Sequence, residues 1–111
     1  MVTGQAASFG CTAEIAYERG YPCTVNSGEE HDFARSTAVI LSEEKNVVDL
    51  QKPFMLAEDF AFMLQQRPGC YFFMGNGSTA SLHDSRYDFN DAAILPGVRY
   101  WVALAERYLS S

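Results

Sequence analysis

The sequence predicts an α/β fold, a partial three-layer sandwich in which helices cover a short, mostly parallel sheet. One observation is the order of the predicted elements, which alternates between strand and helix along the chain and favours parallel pairing. Another is the uninterrupted apolar run at residues 70–74, CYFFM, which is typical of a strand covered on both faces. Because such a strand needs neighbours on both sides and only three strands are predicted, we expect the chain to form part of a larger sheet.

The first half of the chain is predicted to contain two strands and one helix. Apolar and polar side chains alternate at residues 13–18, which is the period of a half-buried strand. A helix should begin after Ser27, because Ser27 and Glu30 fit a capping box in which each side chain bonds to the backbone of the other. It should end near Glu44. Residues 47–50 are rich in β-branched side chains, which favours a second strand.

The second half is predicted to contain two helices, one on each side of the apolar strand. Phe60, Met63 and Leu64 recur at helical spacing and predict a short amphipathic helix, which Pro68 must stop. A final helix is predicted from about Asp91, because one stripe of it is apolar. That stripe carries Val98, Trp101, Val102, Ala105, Tyr108 and Leu109.

The composition argues against two classes of partner. The chain has 14 acidic residues against 8 Lys and Arg, a formal charge of −6 and no basic run, so it would repel a nucleic-acid backbone. No stretch reaches the roughly 18 uninterrupted apolar residues of a membrane span. We therefore expect no nucleic acid, no membrane and a cytoplasmic location. Cys11, Cys23 and Cys70 form no CxxC pair and are predicted to be reduced structural thiols.

Four motifs follow one another in the second half of the chain. They are EDF at residues 58–60, Pro-Gly at 68–69 before the apolar strand, Gly-Asn-Gly at 75–77 and LHDSRYDF at 82–89. In this order and spacing they resemble the C-terminal portion of the hippurate hydrolase, N-acyl-amino-acid amidohydrolase and indole-acetyl-amino-acid hydrolase family of metallopeptidases. The stretch YPCTVN at residues 21–26 is similar to the same family where its chain returns from the lid domain to the catalytic domain.

The resemblance implies two domains. Residues 1–22 would be the tail of a lid or dimerisation domain, and residues 23–111 would be the C-terminal segment of the catalytic domain of the metallopeptidase. The predicted sandwich would then be one part of that larger domain. Because the lid domain of the family often mediates dimerisation, a homodimer is also expected. Residues 1–12 are weakly patterned and are predicted to form a loop or the end of a helix.

The resemblance also implies a metal site. The complete parent protein would bind a pair of divalent metal ions, which could be zinc, manganese, cobalt or nickel. The histidine of the LH motif, His83, would be one of the ligands. Neutral imidazole is a good ligand for these metals. Outside this motif, a lone histidine in a loop would more often be a solvated surface group.

Glu58 and Asp59 have two interpretations. Both could open the short helix, where negative charge meets the positive end of the helix dipole. The resemblance implies instead that they brace the active site, either at the substrate or behind its ligands. For Gly75, Asn76 and Gly77 the resemblance implies a loop near the acyl group of the substrate, and the simpler interpretation is a plain turn after a strand.

The predicted function is the hydrolysis of N-acyl amino acids, such as hippurate-like substrates, by a metal-dependent amidohydrolase. The resemblance places the other metal ligands and a glutamate general base in segments that this sequence does not contain. We therefore predict no catalytic residue in this chain and no activity by the chain alone, since one histidine cannot hold a catalytic metal. The alternative is a non-catalytic α/β module for interaction or dimerisation, whose sheet edges would pair between copies.

Overall fold

A computed structural model describes residues 1–110, which form four α-helices and two short 3-10 helices joined by long irregular segments. The α-helices are α1 (Val2–Ser8), α2 (Gly28–Ser42), α3 (Phe60–Leu64) and α4 (Ile94–Leu109), and the 3-10 helices are Glu44–Asn46 and Asp91–Ala93. No helix in this part of the chain is long and apolar enough to cross a membrane.

The predicted α/β sandwich is wrong, because residues 1–110 contain no β-strand. The three segments predicted as strands, residues 13–18, 47–50 and 70–74, are all irregular. A strand requires a hydrogen-bonded neighbour along its length, and none of the three forms a backbone ladder with another described segment. An apolar pattern shows which side chains avoid water, but it does not supply the neighbour. The fold class is therefore helical.

α2 begins where it was predicted, but the predicted capping bonds are absent. Ser27 occupies the N-cap position with an extended backbone and makes no side-chain cap hydrogen bond. Its hydroxyl accepts instead from the Gly69 amide at 3.1 Å. Glu29 and Glu30 lie in the first turn, where their charge meets the positive end of the helix dipole. The start of α2 is therefore stabilised by charge, while Ser27 connects it to a distant segment.

α3 and α4 form where helical spacing predicted them. The 3-10 turn before α4 is capped by Asn90, whose side-chain oxygen accepts from the Ala92 amide at 3.1 Å. Pro96 lies in the first turn of α4, where its missing N–H removes no intrahelical bond. Both helix predictions are confirmed.

The packing of α2 on α4 contains the most deeply buried contacts between helices. Thr37 is fully buried, and Ala34 and Tyr100 are buried almost as well. The Tyr100 hydroxyl donates to the Ala34 carbonyl at 3.1 Å. Arg107 donates to the Thr37 hydroxyl and lies 5.0 Å from the centre of the Phe33 ring, which is a cation–π contact. A small core and several polar bonds therefore hold the two helices together.

This packed region is small for the length of the chain. The radius of gyration is 20.6 Å, whereas a compact chain of this length has about 13 Å. The accessible surface is 9729 Å², against about 6,100 Å² for a folded monomer of this mass. On α4, Trp101 is 60% and Leu109 82% exposed. Residues 1–110 therefore leave about 3,600 Å² more surface open than an independent domain would.

Candidate functional site

The predicted metal ligand His83 lies in an exposed turn of a loop, residues 80–87, that we call the His83 loop. Its imidazole makes no hydrogen bond or ion pair within the described chain. Its backbone φ is 70°, in the left-handed region that residues other than glycine rarely adopt. The Asp84 amide donates to the Ser81 carbonyl at 3.0 Å and closes the turn around His83. Both ring nitrogens are therefore open to a ligand.

A second turn follows directly and is held by an ion pair. The Asp84 carboxylate accepts from the Arg86 backbone amide at 2.9 Å and from two guanidinium nitrogens at 3.0 Å each. The Arg86 guanidinium lowers the pKa of the Asp84 carboxyl, and the carboxylate raises the pKa of Arg86. The Tyr87 amide donates to the Asp84 carbonyl at 2.9 Å. Two successive turns therefore share Asp84, the residue next to His83.

Four hydrogen bonds close the base of the His83 loop. We call this base the neck, and it consists of Asn76, Thr79, Asp88 and Asn90. The Asn76 side-chain nitrogen donates to the Asp88 carbonyl at 2.9 Å, and its oxygen accepts from the Asn90 amide at 2.8 Å. The Thr79 hydroxyl donates to the Asp88 carbonyl at 3.1 Å and accepts from the Asp88 amide at 3.3 Å. The chain entering the loop is thereby bonded to the chain leaving it.

The predicted substrate-binding residues Gly75, Asn76 and Gly77 lie at this neck or directly before it. Gly77 has a φ of 81°, and a Cβ there would lie 3.3 Å from the Asn90 side-chain nitrogen. Glycine therefore suits this position in both conformation and space. A Cβ at Gly75 would meet nothing within 4 Å. Contact with a substrate acyl group stays a prediction for all three residues.

The predicted carboxylates Glu58 and Asp59 directly precede α3, and each interacts with a tyrosine. The Tyr71 hydroxyl donates to Glu58 at 3.0 Å, and this bond raises the pKa of Tyr71. Hydrogen bonding to Asp59 raises the pKa of Tyr21 in the same way. Glu58 also accepts from the Phe60 amide at 3.4 Å, at the start of α3. These bonds fit the interpretation of a helix start, and a role in bracing an active site stays a prediction.

A clamp that the sequence did not predict joins residues 26–27 to residues 69–71. The Asn26 side chain donates to the Tyr71 carbonyl and accepts from the Tyr71 amide, both at 2.8 Å. Ser27 exchanges two further bonds with Gly69, at 3.0 and 3.1 Å. No periodic pattern points to a partner 45 residues away, so spacing could not have found this clamp. The neck was missed for the same reason.

Residues 2–107 match the family described as Peptidase family M20/M25/M40. The chain belongs to this family. The resemblance inferred from the motifs is therefore confirmed. No solved structure matches the chain.

Three relatives show which proteins the chain is similar to. It is 38% identical over 88 residues to the hippurate hydrolase of Campylobacter jejuni subsp. jejuni, an alignment that covers 79% of the chain and 23% of the relative. It is 33% identical over 113 residues to the putative amidohydrolase YhaA of Bacillus subtilis, covering 97% and 28%. It is 33% identical over 99 residues to the N-acetyldiaminopimelate deacetylase of Lacticaseibacillus casei, covering 86% and 25%. The chain spans about a quarter of the length of these relatives.

Peptidases of the M20 family are generally metal-dependent, so the available donor groups determine what this chain could hold. His83 fits as a ligand, because its imidazole is exposed and makes no bond to the described protein. Among residues 1–110, no group of three or more His, Cys, Asp or Glu side chains could hold a metal ion. A catalytic metal usually has three protein ligands. His83 could therefore serve only together with ligands from outside residues 1–110.

Proposed function

We propose that this chain forms part of the catalytic domain of a metal-dependent amidohydrolase, with His83 as one of its metal ligands. The observation that carries the proposal is the exposed imidazole of His83, which makes no bond within the described chain. Its left-handed backbone costs about 1–2 kcal/mol for a residue with a side chain. Such costs often persist at functional positions. Membership of the M20/M25/M40 family supports the same assignment.

N-acyl amino acids are the substrate class that we propose. Two relatives are named for hydrolysing such compounds, because hippurate and N-acetyldiaminopimelate are both acylated amino acids. Cleavage of the amide bond would release a carboxylate and an amino acid. The third relative is named as a putative amidohydrolase, which fits the same reaction type.

The chain's own contribution to catalysis would be narrow. A bound divalent metal ion would supply an activated water and would polarise the amide carbonyl. His83 would provide one neutral imidazole nitrogen, and the turns around Asp84 would hold its backbone. Because residues 1–110 contain no complete set of ligands, we propose that the chain is inactive by itself.

The division into domains is also a proposal. Residues 1–22 would belong to the lid or dimerisation domain, and residues 23–111 to the catalytic domain. α1 supports this division, because it has no buried residue and packs on no other helix of the described chain. The part of the chain that packs, α2 with α4, lies entirely on the catalytic side.

A non-catalytic dimerisation module is the second candidate, since the chain exposes many large apolar side chains. The amount of open surface argues against it. Obligate homodimer interfaces bury about 1,000–2,500 Å² per partner, whereas this chain exposes about 3,600 Å² more than a folded monomer of its mass. A dimer of this size would still leave part of that excess in water. The open surface therefore favours burial against a larger part of the same hydrolase.

A chimaera tests the proposed function. In this reconstituted hydrolase, the chain replaces the matching segment of the Campylobacter jejuni hippurate hydrolase. We expect the chimaera to hydrolyse hippurate when zinc or manganese is present. His83→Ala should lower kcat/KM by at least about 100-fold, because even the loss of a group that merely supports a metal ligand costs 10- to 100-fold. The measurement is the release of glycine from hippurate.

His31→Ala is the matched control, because His31 is the other histidine of the chain. It lies in α2 with its ring 3.2 Å from the Asp32 carboxylate, so its loss should leave the activity unchanged. Full activity of His83→Ala would contradict the proposed role of His83. The 111-residue chain on its own should release no glycine, and measurable release would contradict its proposed inactivity.

A further inference from the structure

We infer that Asn76 and Thr79 are positioning residues, whose side chains close the neck so that the His83 loop presents its imidazole to a metal ion in one orientation. This inference rests on the proposed function of His83 and adds the residues that hold the ligand in place.

The neck depends entirely on side chains within the described chain. No backbone-to-backbone hydrogen bond joins residues 75–79 to residues 88–90. All four bonds across the neck use the Asn76 carboxamide or the Thr79 hydroxyl. Because no backbone hydrogen bond would hold the two segments together, replacing these two side chains should open the base of the loop.

The bonds span enough chain to restrict the whole loop. Asn76 and Asn90 are 14 residues apart, and Thr79 and Asp88 are 9 residues apart. A compact surface loop of this length has its ends held close together. The turns at Asp84 hold its tip separately. With base and tip both fixed, His83 is ordered before any metal binds, which lowers the entropic cost of binding.

The geometry favours this role for Asn76 over direct contact with a substrate. The nitrogen and the oxygen of its carboxamide each bond to a backbone group, at 2.9 and 2.8 Å. A carboxamide held at both ends has little freedom to turn towards another molecule. Asn76 therefore acts by holding the neck that orients His83, and Thr79 holds the same neck.

Matched variants of the reconstituted hydrolase test the neck. Thr79→Val removes the hydroxyl at nearly constant volume, whereas Thr79→Ser keeps the hydroxyl. Asn76→Leu removes both the donor and the acceptor of the carboxamide. Ser78→Ala is the control in the same segment, because Ser78 makes no hydrogen bond within the described chain. Amide hydrogen exchange of residues 80–88 should rise about threefold to tenfold in Thr79→Val and Asn76→Leu. It should not change in Thr79→Ser or Ser78→Ala.

The absorption spectrum of bound cobalt provides a readout that does not depend on activity. We expect Thr79→Val and Asn76→Leu to shift this spectrum towards that of His83→Ala and to weaken cobalt binding by about tenfold. Thr79→Ser should keep the parent spectrum. A loss of folding alone would not produce this pattern, because Thr79→Val only exchanges the hydroxyl for a methyl group, while Thr79→Ser keeps the hydroxyl and loses a methyl group.

Two results would overturn the inference while leaving the proposed function intact. One is unchanged amide exchange in both Thr79→Val and Asn76→Leu. The other is faster exchange with an unchanged cobalt spectrum, when His83→Ala does alter that spectrum. A cobalt spectrum that His83→Ala leaves unaltered would instead overturn the proposed function, together with the metal-presenting role of the neck.

Discussion

The α2–α4 pair and the neck of the His83 loop both join distant parts of the chain, but different forces hold them. α2 and α4 bury Thr37 and Tyr100, so their contact removes apolar surface from water. The neck is held by Asn76 and Thr79 in a largely exposed setting, where each hydrogen bond contributes about 0.5–1.5 kcal/mol. One region of this chain therefore supplies stability, while another fixes the geometry of the candidate ligand.

Truncating Tyr100 should have the largest effect, because Tyr100 lies in the α2–α4 pair, the more stable of the two regions. Tyr100→Ala removes a buried ring and its bond to Ala34, which should cost about 3–5 kcal/mol. Amide exchange in α2 and α4 of the reconstituted hydrolase should then accelerate by more than about 100-fold. Tyr100→Phe is the control and should cost only about 1 kcal/mol. Unchanged exchange in Tyr100→Ala would show that this contact contributes little stability.

Removing the Asn26 clamp should have an intermediate effect, because the clamp combines features of both regions. Asn26→Leu deprives the Tyr71 amide and carbonyl of two bonds at 2.8 Å, which should cost about 2 kcal/mol. Exchange of the Tyr71 amide should rise roughly 30-fold. Asn46→Leu is the control, since the Asn46 side chain bonds only to the nearby Ser42 carbonyl. If both variants left the Tyr71 amide equally protected, the clamp would not be what orders residues 69–71.

The smallest effect should come from Glu58→Gln. This variant separates two causes of a raised tyrosine pKa, hydrogen bonding and burial. Glu58 raises the pKa of Tyr71 from 10.0 through a hydrogen bond, whereas burial raises that of Tyr100. The Tyr71 bond thus stabilises the fold below pH 10, and this contribution is lost as the pH rises through the raised pKa. In Glu58→Gln the pKa of Tyr71 should fall towards 10.0, while that of Tyr100 should not move.

A pH titration of the reconstituted hydrolase, followed by the NMR shifts of the tyrosine ring carbons, measures both pKa values at once. A fall in the pKa of Tyr100 along with that of Tyr71 would mean that the substitution had disturbed the packing of α2 on α4. An unmoved pKa of Tyr71 would contradict the hydrogen bond to Glu58.

Sequence patterns predicted the helices well because helical spacing is a property of near neighbours. Phe60, Met63 and Leu64 lie three and four residues apart and fall within α3. α1 was not predicted as a definite helix, because residues 1–12 have no clear apolar stripe. The strands were wrong because a ladder needs a second segment, and the apolar run at residues 70–74 carries no information about one.

The candidate site could be predicted only in part. The LH motif identified His83, and the structure places it in an exposed turn, but its role as a ligand stays a prediction. Thr79, Asp88 and Asn90 could not be identified, because they lie in a polar segment without periodicity and pair through backbone groups. The same limit applied to Asn26, whose partner lies 45 residues away.

The packing of α2 on α4 has a kinetic consequence. The bond from Tyr100 to Ala34 joins positions 66 residues apart, and Arg107 reaches Thr37 across 70. During synthesis, α2 therefore lacks its main packing partner until nearly all of this segment has left the ribosome. Contacts of such long range slow folding. The synthesis of α4 therefore sets the earliest time at which this part of the polypeptide can fold.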